Sequence, residues 1–572
     1  MSQSVHLLLN LCFCFLNSLP FAIPDSNYEN FANCLAKNPS IPSDQISKII
    51  YSRTNFSFTS VLDSYVRNRR FNASSTPKPL LIVTPLAPNQ VQATVLCAKI
   101  LKFQLKIRSG GHDYEGLSYV SNEMNFIILD MFNLRSIRFD IGNEAAWVES
   151  GATLGELYYR IWENSKIHAF PAGICPTVGI GGHISGGGYG VLLRKFGLSV
   201  DNLIDAQIVD VNGRILDRTA MGEDLFWAIS GGGGASFGVI LAYKIKLVRV
   251  PDLVTVFRIE KDEEQQQETI DIVYKWQEIA DRVDNDLFVR LLLQPIKEEK
   301  TVKATFIGMF LGDSNRLIAI MNDQFLELGL KKNDCFEMGW AESVLWWFKP
   351  GTTTMEELLN RVPDLDSVNF LKRKSDYVQK PITKTGLETL FKKLIELGKT
   401  GVVFNPYGGR MGEIAETEKP FPHRSGIVYK IQYSVNWEED DANVEKEYMA
   451  EIRELHDFMT PFVSKNPRQA FLNYRDLDIG TSTTSYNNGK NGYDEGKVYG
   501  IKYFKGNFDR LVKVKTMVDP ENFFRNEQSI PTLPAAGGGL GGGKERSEGR
   551  QLGGLLLGLV LALHQCIITF LT

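Results

Sequence analysis

The sequence predicts an α+β protein built from two or more domains. Its 572 residues exceed what one ordinary hydrophobic core accommodates. From Leu80 to about Lys246 the predicted strands and helices alternate, a pattern typical of α+β or α/β domains. Beyond Pro251 the apolar segments indicate instead an antiparallel sheet with helices between its strands.

The first predicted elements are a buried strand and a helix. Leu80–Thr84 is a short apolar run, and the residues after Pro88 place apolar side chains at i, i+3 and i+4 spacings. A capping box, Thr153-x-x-Glu156, begins a later helix that continues through Trp162. Three further runs predict strands in this half: Gln104–Arg108, Phe126–Asp130 and Ala146–Ser150.

The second half begins with a polar, charged stretch, Glu260–Glu268, which predicts a domain edge. Residues 471–530 contain a loop rich in Thr, Ser, Asn and Gly (Gly480–Gly492) and a predicted helix at Gly506–Met517. The predicted strands of this half are Leu287–Leu293, Val302–Phe310 and Ile427–Trp437.

The N-terminus has the features of a secretory signal. Leu7–Leu16 is apolar and uncharged, and Pro20–Ala22 offers a small-residue cleavage point. We therefore assign residues 1–22 to the signal and 23–74 to an N-terminal segment. Two Asn-x-Ser sequons, at Asn55 and Asn72, predict N-glycans on an extracellular protein. The net charge of −4 gives no electrostatic footprint for a nucleic-acid partner.

Residues 531–572 form a Gly-rich spacer and a hydrophobic tail beyond the predicted fold. Gly537–Gly554 precedes the apolar run Leu555–Leu563 and a second short apolar run. Small residues followed by a polar spacer and then an apolar tail are typical of a GPI-attachment signal. Two other interpretations stay open: a single membrane span, which His564 and Gln565 interrupt, and an adventitious extension of the coding sequence. Any contact with a membrane is expected only through this tail.

Two glycine-rich loops are the strongest candidates for a cofactor site. Arg108-Ser-Gly-Gly-His112 follows a predicted strand, so its backbone N–H groups can form an anion-binding nest. The longer run Gly173–Gly190 surrounds Cys175 with glycines, which lets backbone approach a large planar or diphosphate ligand. These features alone predict a phosphate-bearing cofactor, with an unusual structural loop as the alternative. A third run, Gly231–Gly238, lacks the G-x-G-x-x-G spacing of a nicotinamide site.

Long ordered motifs run through the chain from about Asn30 to Pro534. They are Thr84-Pro, RSGGHDYEG (108–116), CPTVGIGGHISGGGYG (175–190), GEDLFWAISGGGGASFG (222–238), NPYGGRM (405–411), FPHR (421–424), NYRDLDIG (473–480) and DPENFFRNEQSIP (519–531). In this set the chain resembles the plant berberine-bridge-enzyme-like FAD-linked oxidases, which are flavoproteins of the vanillyl-alcohol-oxidase type.

The resemblance implies a two-part FAD-binding domain, residues 75–250 closed by the returning segment 471–530, with a substrate domain at 251–470. It also implies FAD bound covalently through His112 and Cys175. An imidazole nitrogen and a thiolate are nucleophiles suited to the electrophilic edge of a flavin, and two links should raise its redox potential. The expected cofactor-binding residues are His112, Cys175, Arg108, Ser109, Gly110, Gly111, Thr177, Val178, Gly181, Gly182, Gly186 and Asn522.

Five of the seven cysteines remain once the signal is removed. An oxidising compartment favours pairing two of them. If Cys175 binds the flavin, Cys34 and Cys97 are the natural disulfide pair; the alternative is that all of them are buried thiols. The histidines are scattered along the chain and suggest no metal cluster.

On the substrate side, Val428–Trp437 alternates between apolar and polar residues, with Lys430 and Gln432 on the polar face. An ordinary half-solvated strand would explain the pattern. The resemblance implies instead that this strand lines the cavity over the flavin. Amine-oxidising and cannabinoid-cyclising relatives resemble one another in having Glu at the position of Lys430, which argues against those activities here.

The predicted catalytic residues are Tyr474, Lys430, Gln432, Tyr114 and Tyr189. They resemble the set of relatives that oxidise alcohols, with Tyr474 as base and the ammonium of Lys430 lowering its pKa of about 10. We therefore expect a secreted or cell-wall oxidase that moves hydride from a monolignol-type or other phenolic alcohol to FAD, with O2 reduced to H2O2. Val178 matches the position that resembles an oxygen gate in relatives, where a small valine leaves room for oxygen beside the flavin. The alternatives are oxidation of oligosaccharides at the reducing end and a flavin-loaded defence protein with little turnover.

Overall fold

The structure, a computed structural model, describes residues 25–261, 266–352, 354–361, 368–482 and 492–534. The predicted signal (1–22), most of the Gly480–Gly492 loop and the C-terminal tail beyond Pro534 lie outside these residues. Contacts join the chain up to Leu533 into one unit. Within the described residues, no helix is both long and apolar enough to cross a membrane.

The described strands are β1 Ile50–Ser52, β2 Leu81–Val83, β3 Gln104–Arg108, β4 Phe126–Asp130, β5 Ile137–Asp140, β6 Ala145–Glu149, β7 His168–Ala169, β8 Leu203–Val209, β9 Ile215–Leu216, β10 Val239–Lys246, β11 Val248–Arg249, β12 Val254–Lys261, β13 Leu287–Ile296, β14 Thr301–Phe310, β15 Cys335–Met338, β16 Phe370–Val378, β17 Gly401–Pro406 and β18 Tyr429–Trp437. The described helices are α1 Ser26–Ala36, α2 Ser43–Ile49, α3 Phe58–Asp63, α4 Pro88–Ile100, α5 Leu154–Asn164, α6 Ile180–Ser185, α7 Leu193–Phe196, α8 Arg218–Ile229, α9 Gln266–Ile279, α10 Ser314–Gln324, α11 Trp340–Phe348, α12 Lys384–Leu397, α13 Arg410–Glu413, α14 Ala442–Phe458, α15 Tyr493–Phe504 and α16 Phe508–Val518.

Two larger sheets and the two-stranded pair β11-β7 form the first half of the fold. The four-stranded sheet has the order β1-β2-β4-β3, and β4 pairs in parallel with both β2 and β3. The five-stranded sheet, β5-β6-β10-β8-β9, is antiparallel. Parallel and antiparallel sheets with helices between them confirm the predicted α+β class. The capping box of α5 is present, with reciprocal hydrogen bonds between Thr153 and Glu156.

The predicted antiparallel sheet of the second half has seven strands in the order β15-β12-β14-β13-β17-β18-β16. Helices α9, α10, α12 and α14 cover one face of it, and the apolar face of β18 packs into that core. The polar stretch predicted as a domain edge runs from the end of β12 into α9, and its division of the chain into domains stays a prediction.

A disulfide ties the N-terminal segment to the rest of the fold. Cys34 in α1 is bonded to Cys97 in α4, with the two Cα atoms 5.8 Å apart. The predicted pair is confirmed. The other two described cysteines, Cys175 and Cys335, are free thiols.

A buried ion cluster joins the returning C-terminal segment to both earlier parts of the chain. Lys372 of β16 contacts Glu115, just after the first glycine-rich loop, and lies 2.7 Å from Asp476. Lys374 lies 2.6 Å from Asp476 and 3.0 Å from Asp478. Charges buried this deeply are tolerated only when paired, so the cluster fixes how these three segments meet.

Candidate active site

One cavity brings together both glycine-rich loops, the seven-stranded sheet and the returning segment. Most of the predicted site residues line it: Ser109, Gly110, Gly111, His112, Tyr114, Cys175, Val178, Gly181, Gly182, Gly186, Tyr189, Gln432 and Tyr474. These residues come from positions far apart in the sequence, and the fold places them around one space. The shared cavity is therefore the candidate active site.

Three predicted cofactor-binding residues do not line the cavity: Arg108, Thr177 and Asn522. The Arg108 guanidinium forms an ion pair of 2.7 Å with Asp130 and donates to the carbonyl oxygens of Val61 and Leu62. Asn522 is buried at a backbone φ of 53°, and its side-chain amide has no hydrogen-bond partner within the described residues. Arg108 fixes the end of β3 and Asn522 forms a turn, and their roles as direct cofactor ligands stay predictions.

The glycines of the two loops are required by close packing. A Cβ atom added to Gly110 would lie 2.3 Å from the backbone nitrogen of Gly179, so the two loops meet backbone to backbone. A Cβ atom on Gly182 would meet no protein atom within 4 Å. This wall of the cavity is therefore bare backbone next to open space, which suits a large planar ligand.

His112 faces this space as a neutral imidazole. Its Nε2 atom lies 2.9 Å from Oγ1 of Thr177, so Thr177 contacts the predicted flavin-linking histidine rather than the cavity itself. Burial lowers the pKa of His112 to about 3, and the nearby guanidinium of Arg67 acts in the same direction. The imidazole therefore keeps a free lone pair at any ordinary pH, as a nucleophile must.

Cys175 is the second candidate nucleophile and is exposed to the cavity. The surrounding walls raise the pKa of its thiol, and the Arg290 cation opposes that effect. Val178 lies three residues further along the same wall.

Lys430 lies behind the cavity wall rather than in it. Its Nζ atom lies 3.8 Å from the ring centroid of Tyr189, 4.0 Å from that of Tyr474 and 4.0 Å from that of Phe471. The ammonium has no hydrogen-bond partner in the described part of the chain, so its contacts are with ring faces. Burial lowers the pKa of Lys430 well below its usual value, and the Arg290 cation lowers it further.

The three tyrosines differ in what their hydroxyl groups contact. Tyr114 accepts a hydrogen bond of 2.9 Å from Gln432 Nε2, and Tyr189 donates one of 3.1 Å to the carbonyl of Pro406. No described residue hydrogen-bonds the hydroxyl of Tyr474, which lines the cavity. Burial raises the pKa of Tyr474. Burial is the largest influence on this phenol, and the lowering of its pKa by the Lys430 ammonium stays a prediction.

Arg290 is a cavity residue that the sequence analysis missed. It projects from β13, donates a hydrogen bond of 2.8 Å to the amide oxygen of Asn405, and lies 5.4 Å from the ring of Trp347. No carboxylate among the described residues pairs with it. The sequence contained one signal for this residue: Arg290 is the single charged residue in the otherwise apolar run Leu287–Leu293.

Two family profiles match the segments that build this cavity. Residues 79–219 match the FAD binding domain family, and residues 470–531 match the family described as berberine and berberine like. Berberine bridge enzyme-like 21 of Arabidopsis thaliana is 58% identical over 530 residues, covering 91% of this chain and 96% of the relative.

The chain belongs to the berberine bridge enzyme-like family of FAD-linked oxidoreductases.

Solved structures of this family have the same fold. Phl p 4, described as a grass pollen allergen with glucose dehydrogenase activity, is 41% identical with a TM-score of 0.83, covering 88% of this chain and 99% of that one. Berberine bridge enzyme from Eschscholzia californica is 38% identical with a TM-score of 0.82, over 88% of this chain and 99% of that one. The fold class predicted from the sequence is confirmed.

The cavity fits the family's cofactor. The bare-backbone wall at Gly182 leaves room for the planar ring and diphosphate of FAD, and His112 and Cys175 face the same space. Among the described residues, no group of three or more His, Cys, Asp or Glu side chains is placed to hold a metal ion.

Proposed function

We propose that this protein is a secreted oxidase that removes hydride from an alcohol carbon, uses Tyr474 with Lys430 as its base, and binds FAD covalently through His112 and Cys175. When bound, FAD supplies the hydride acceptor, and molecular oxygen then takes the electrons to give H2O2. The observation that carries the proposal is the contact of Lys430 with the ring of Tyr474, whose hydroxyl is free toward the cavity. A phenolic alcohol of the monolignol type is the leading substrate.

Tyr474 is the tyrosine best placed to take the proton of the substrate hydroxyl. The hydroxyl of Tyr189 is already engaged with a backbone carbonyl, and that of Tyr114 is held by Gln432. These two residues shape the cavity and can orient a substrate oxygen. Tyr474 alone of the three has its hydroxyl free of described partners, so a substrate hydroxyl can become its partner.

Lys430 and Tyr474 form one proton-accepting pair. Burial lowers the pKa of the amine and raises that of the phenol, so burial favours the neutral form of each group. Because Nζ contacts the phenol ring, an ammonium there favours the phenolate over the phenol. With the amine unprotonated, or with the proton moved from the phenol to the amine, the pair can accept one proton as hydride leaves the substrate carbon.

The covalent links are tested by their resistance to denaturation. We expect the yellow flavin to stay with the polypeptide after acid precipitation. His112→Ala and Cys175→Ala should each leave one link and a yellow precipitate, and only the double variant should lose all colour. A wild-type precipitate without colour would contradict both links.

A second candidate function, oxidation of an oligosaccharide at its reducing end, is favoured by Arg290. Its guanidinium faces the cavity, and the described residues provide no carboxylate to neutralise it. Such a group recognises hydroxyls or, in two-point contact, the carboxylate of an acidic sugar. The structural relative Phl p 4 is described as having glucose dehydrogenase activity.

One screen separates these candidates from a low-turnover defence protein. H2O2 release is measured with coniferyl-type alcohols, neutral and acidic cell-wall oligosaccharides, and benzylisoquinoline amines. Turnover of the phenolic alcohols supports the leading proposal, and turnover of the oligosaccharides supports the second. If none of them reduces the enzyme, the alcohol-oxidase proposal is wrong.

Secretion to the cell wall or apoplast completes the proposal. The Cys34–Cys97 disulfide is the kind of bond that forms in an oxidising compartment. Asn55 and Asn72 are both exposed, as N-glycosylation requires. If treatment with a glycosidase lowers the apparent mass of the mature protein on a gel, the protein has N-glycans.

A further inference from the structure

We propose that Thr177 is the positioning residue for covalent attachment of the cofactor at His112: its hydroxyl holds the imidazole in the tautomer and orientation that presents the other ring nitrogen to the cavity. This inference rests on the proposed His112 link. It gives Thr177 a part in building the holoenzyme rather than in turning over substrate.

The geometry separates the two ring nitrogens of His112. Nε2 lies 2.9 Å from Oγ1 of Thr177, in the loop that also contains Cys175. Nδ1 has no side-chain hydrogen-bond partner among the described residues, the backbone of Thr177 also hydrogen-bonds the imidazole, and His112 lines the cavity. A hydroxyl that accepts from Nε2–H leaves the lone pair on Nδ1, so the free nitrogen is the nucleophilic one.

The backbone around His112 does not provide this orientation by itself. His112 follows two glycines, and Gly111 has a φ of 70°. A Cβ atom added to Gly111 would lie 2.0 Å from the carbonyl oxygen of Tyr65, so the loop is pressed against the segment that contains Arg67. That contact fixes the loop but not the rotation of the imidazole ring about its side-chain bonds, and the Thr177 hydroxyl, 2.9 Å from Nε2, is placed to fix that rotation.

The charge of the site favours the same chemistry. Arg67 donates to the carbonyl oxygens of Gly110, at 3.4 Å, and Arg361, at 2.7 Å, and no carboxylate of the described chain pairs with it. A buried cation next to the loop disfavours an imidazolium, which would have no lone pair to donate. As the new bond forms, positive charge grows on the ring, and the hydroxyl oxygen at Nε2 is placed to stabilise it.

Attachment of the flavin to His112 is a two-electron oxidation. A nitrogen–carbon bond forms between the imidazole and the methyl carbon of the ring's dimethylbenzene edge. One proton leaves the methyl group and one leaves Nε2 of the imidazole. Two electrons pass to the flavin ring, and molecular oxygen removes them with the two protons to give H2O2.

Two matched pairs of variants test the hydroxyl. Thr177→Val keeps the shape of the side chain and removes the oxygen, and Thr177→Ser and Thr177→Ala differ from each other only in the hydroxyl. The full-length variants are digested, and mass spectrometry measures the flavin on the His112 peptide and on the Cys175 peptide separately. We expect at least a tenfold loss at His112 in the Val and Ala variants, with Ser close to wild type and the Cys175 link retained in all.

The Cys175 link shows in the same sample that each variant has folded and bound its cofactor. The rate is measured in a Cys175→Ala background, where in-gel flavin fluorescence reports only the His112 link during incubation of flavin-poor protein with FAD. If Thr177→Ala and Thr177→Val attach flavin at His112 at the wild-type rate, Thr177 has no such role. If the wild-type protein carries no flavin at His112, the covalent proposal itself fails, and this outcome is distinct from the first.

Discussion

Replacing Lys430 by Met should move the pH dependence of substrate oxidation to higher pH. The change removes the cation and keeps much of the length of the side chain, so Tyr189, Phe471 and Tyr474 still enclose an unbranched chain. Burial, the largest influence on the pKa of Tyr474, then acts without this cation to oppose it, and burial raises the pKa.

The size of the shift follows from the distance between Lys430 and the ring. Nζ lies 4.0 Å from the ring centroid of Tyr474. At about 4 to 5 Å and an effective dielectric constant of about 20, a cation and a phenolate attract by about 3 to 4 kcal/mol. At about 1.4 kcal/mol per unit, this attraction corresponds to a pKa shift of about two to three units.

The sign follows from the role of the base. The base acts in its deprotonated form, so the rate of flavin reduction is low below its pKa and reaches a plateau above it. In Lys430→Met the rising limb should lie about two to three pH units higher, and the rate at neutral pH should fall by about 10²- to 10³-fold. The assay is anaerobic rapid mixing with a saturating substrate identified by the screen, from pH 5 to 10.

Two companion variants complete the experiment. Lys430→Arg retains a cation next to the rings and should leave the limb within about one unit of wild type if charge is what Lys430 provides. Tyr474→Phe should slow reduction by about 10²- to 10⁴-fold at every pH with the flavin still bound. Unchanged pH profiles in Lys430→Met, or a wild-type rate in Tyr474→Phe, would refute the assignment of this pair.

The remaining predictions concern other parts of the molecule. Replacing Cys34 and Cys97 together by Ser opens a loop with a sequence separation of 63 and should cost at most about 4 kcal/mol, which over a unit of this size lowers Tm by at most about 4 °C in calorimetry; a fall in Tm well beyond this limit would contradict the estimate. Arg290→Gln should raise KM at least tenfold for an acidic oligosaccharide and little for its neutral counterpart, and equal changes for both would exclude recognition of a carboxylate. Val178→Leu should slow reoxidation by oxygen far more than reduction by substrate in rapid mixing, and equal slowing would remove the gate. A chain ending at Pro534 should be soluble and contain flavin after purification, and loss of flavin would contradict a dispensable tail.

The strands and helices were predictable where their signals are local. The capping box at Thr153, the proline that begins α4 and the alternation of β18 depend on neighbours within a few residues, and the structure places all three as expected. The alternation showed which residues of β18 share a face. It did not show that the polar face at Lys430 is buried under aromatic rings, because those rings come from residues 189, 471 and 474.

The site was predictable as a set of motifs and not as a set of contacts. Arg108 belongs to a glycine-rich motif, yet its partner is Asp130, which the parallel register of β3 and β4 places directly beside it. Arg290 reaches the cavity because the pairing of β13 within the seven-stranded sheet points it there. Pairings between distant strands leave no local pattern in the sequence. The contacts of both arginines could therefore be assigned only from the structure.

The buried ion cluster has a consequence for how a newly made chain matures. Lys372 and Lys374 leave the ribosome about a hundred residues before Asp476, the partner they share. Until then both ammonium groups lack that carboxylate, and the wall that contains Tyr474 does not exist. Binding of the cofactor should therefore come after the segment 471–530 has been synthesised, and chains truncated before residue 471 should remain colourless however well their glycine-rich loops fold.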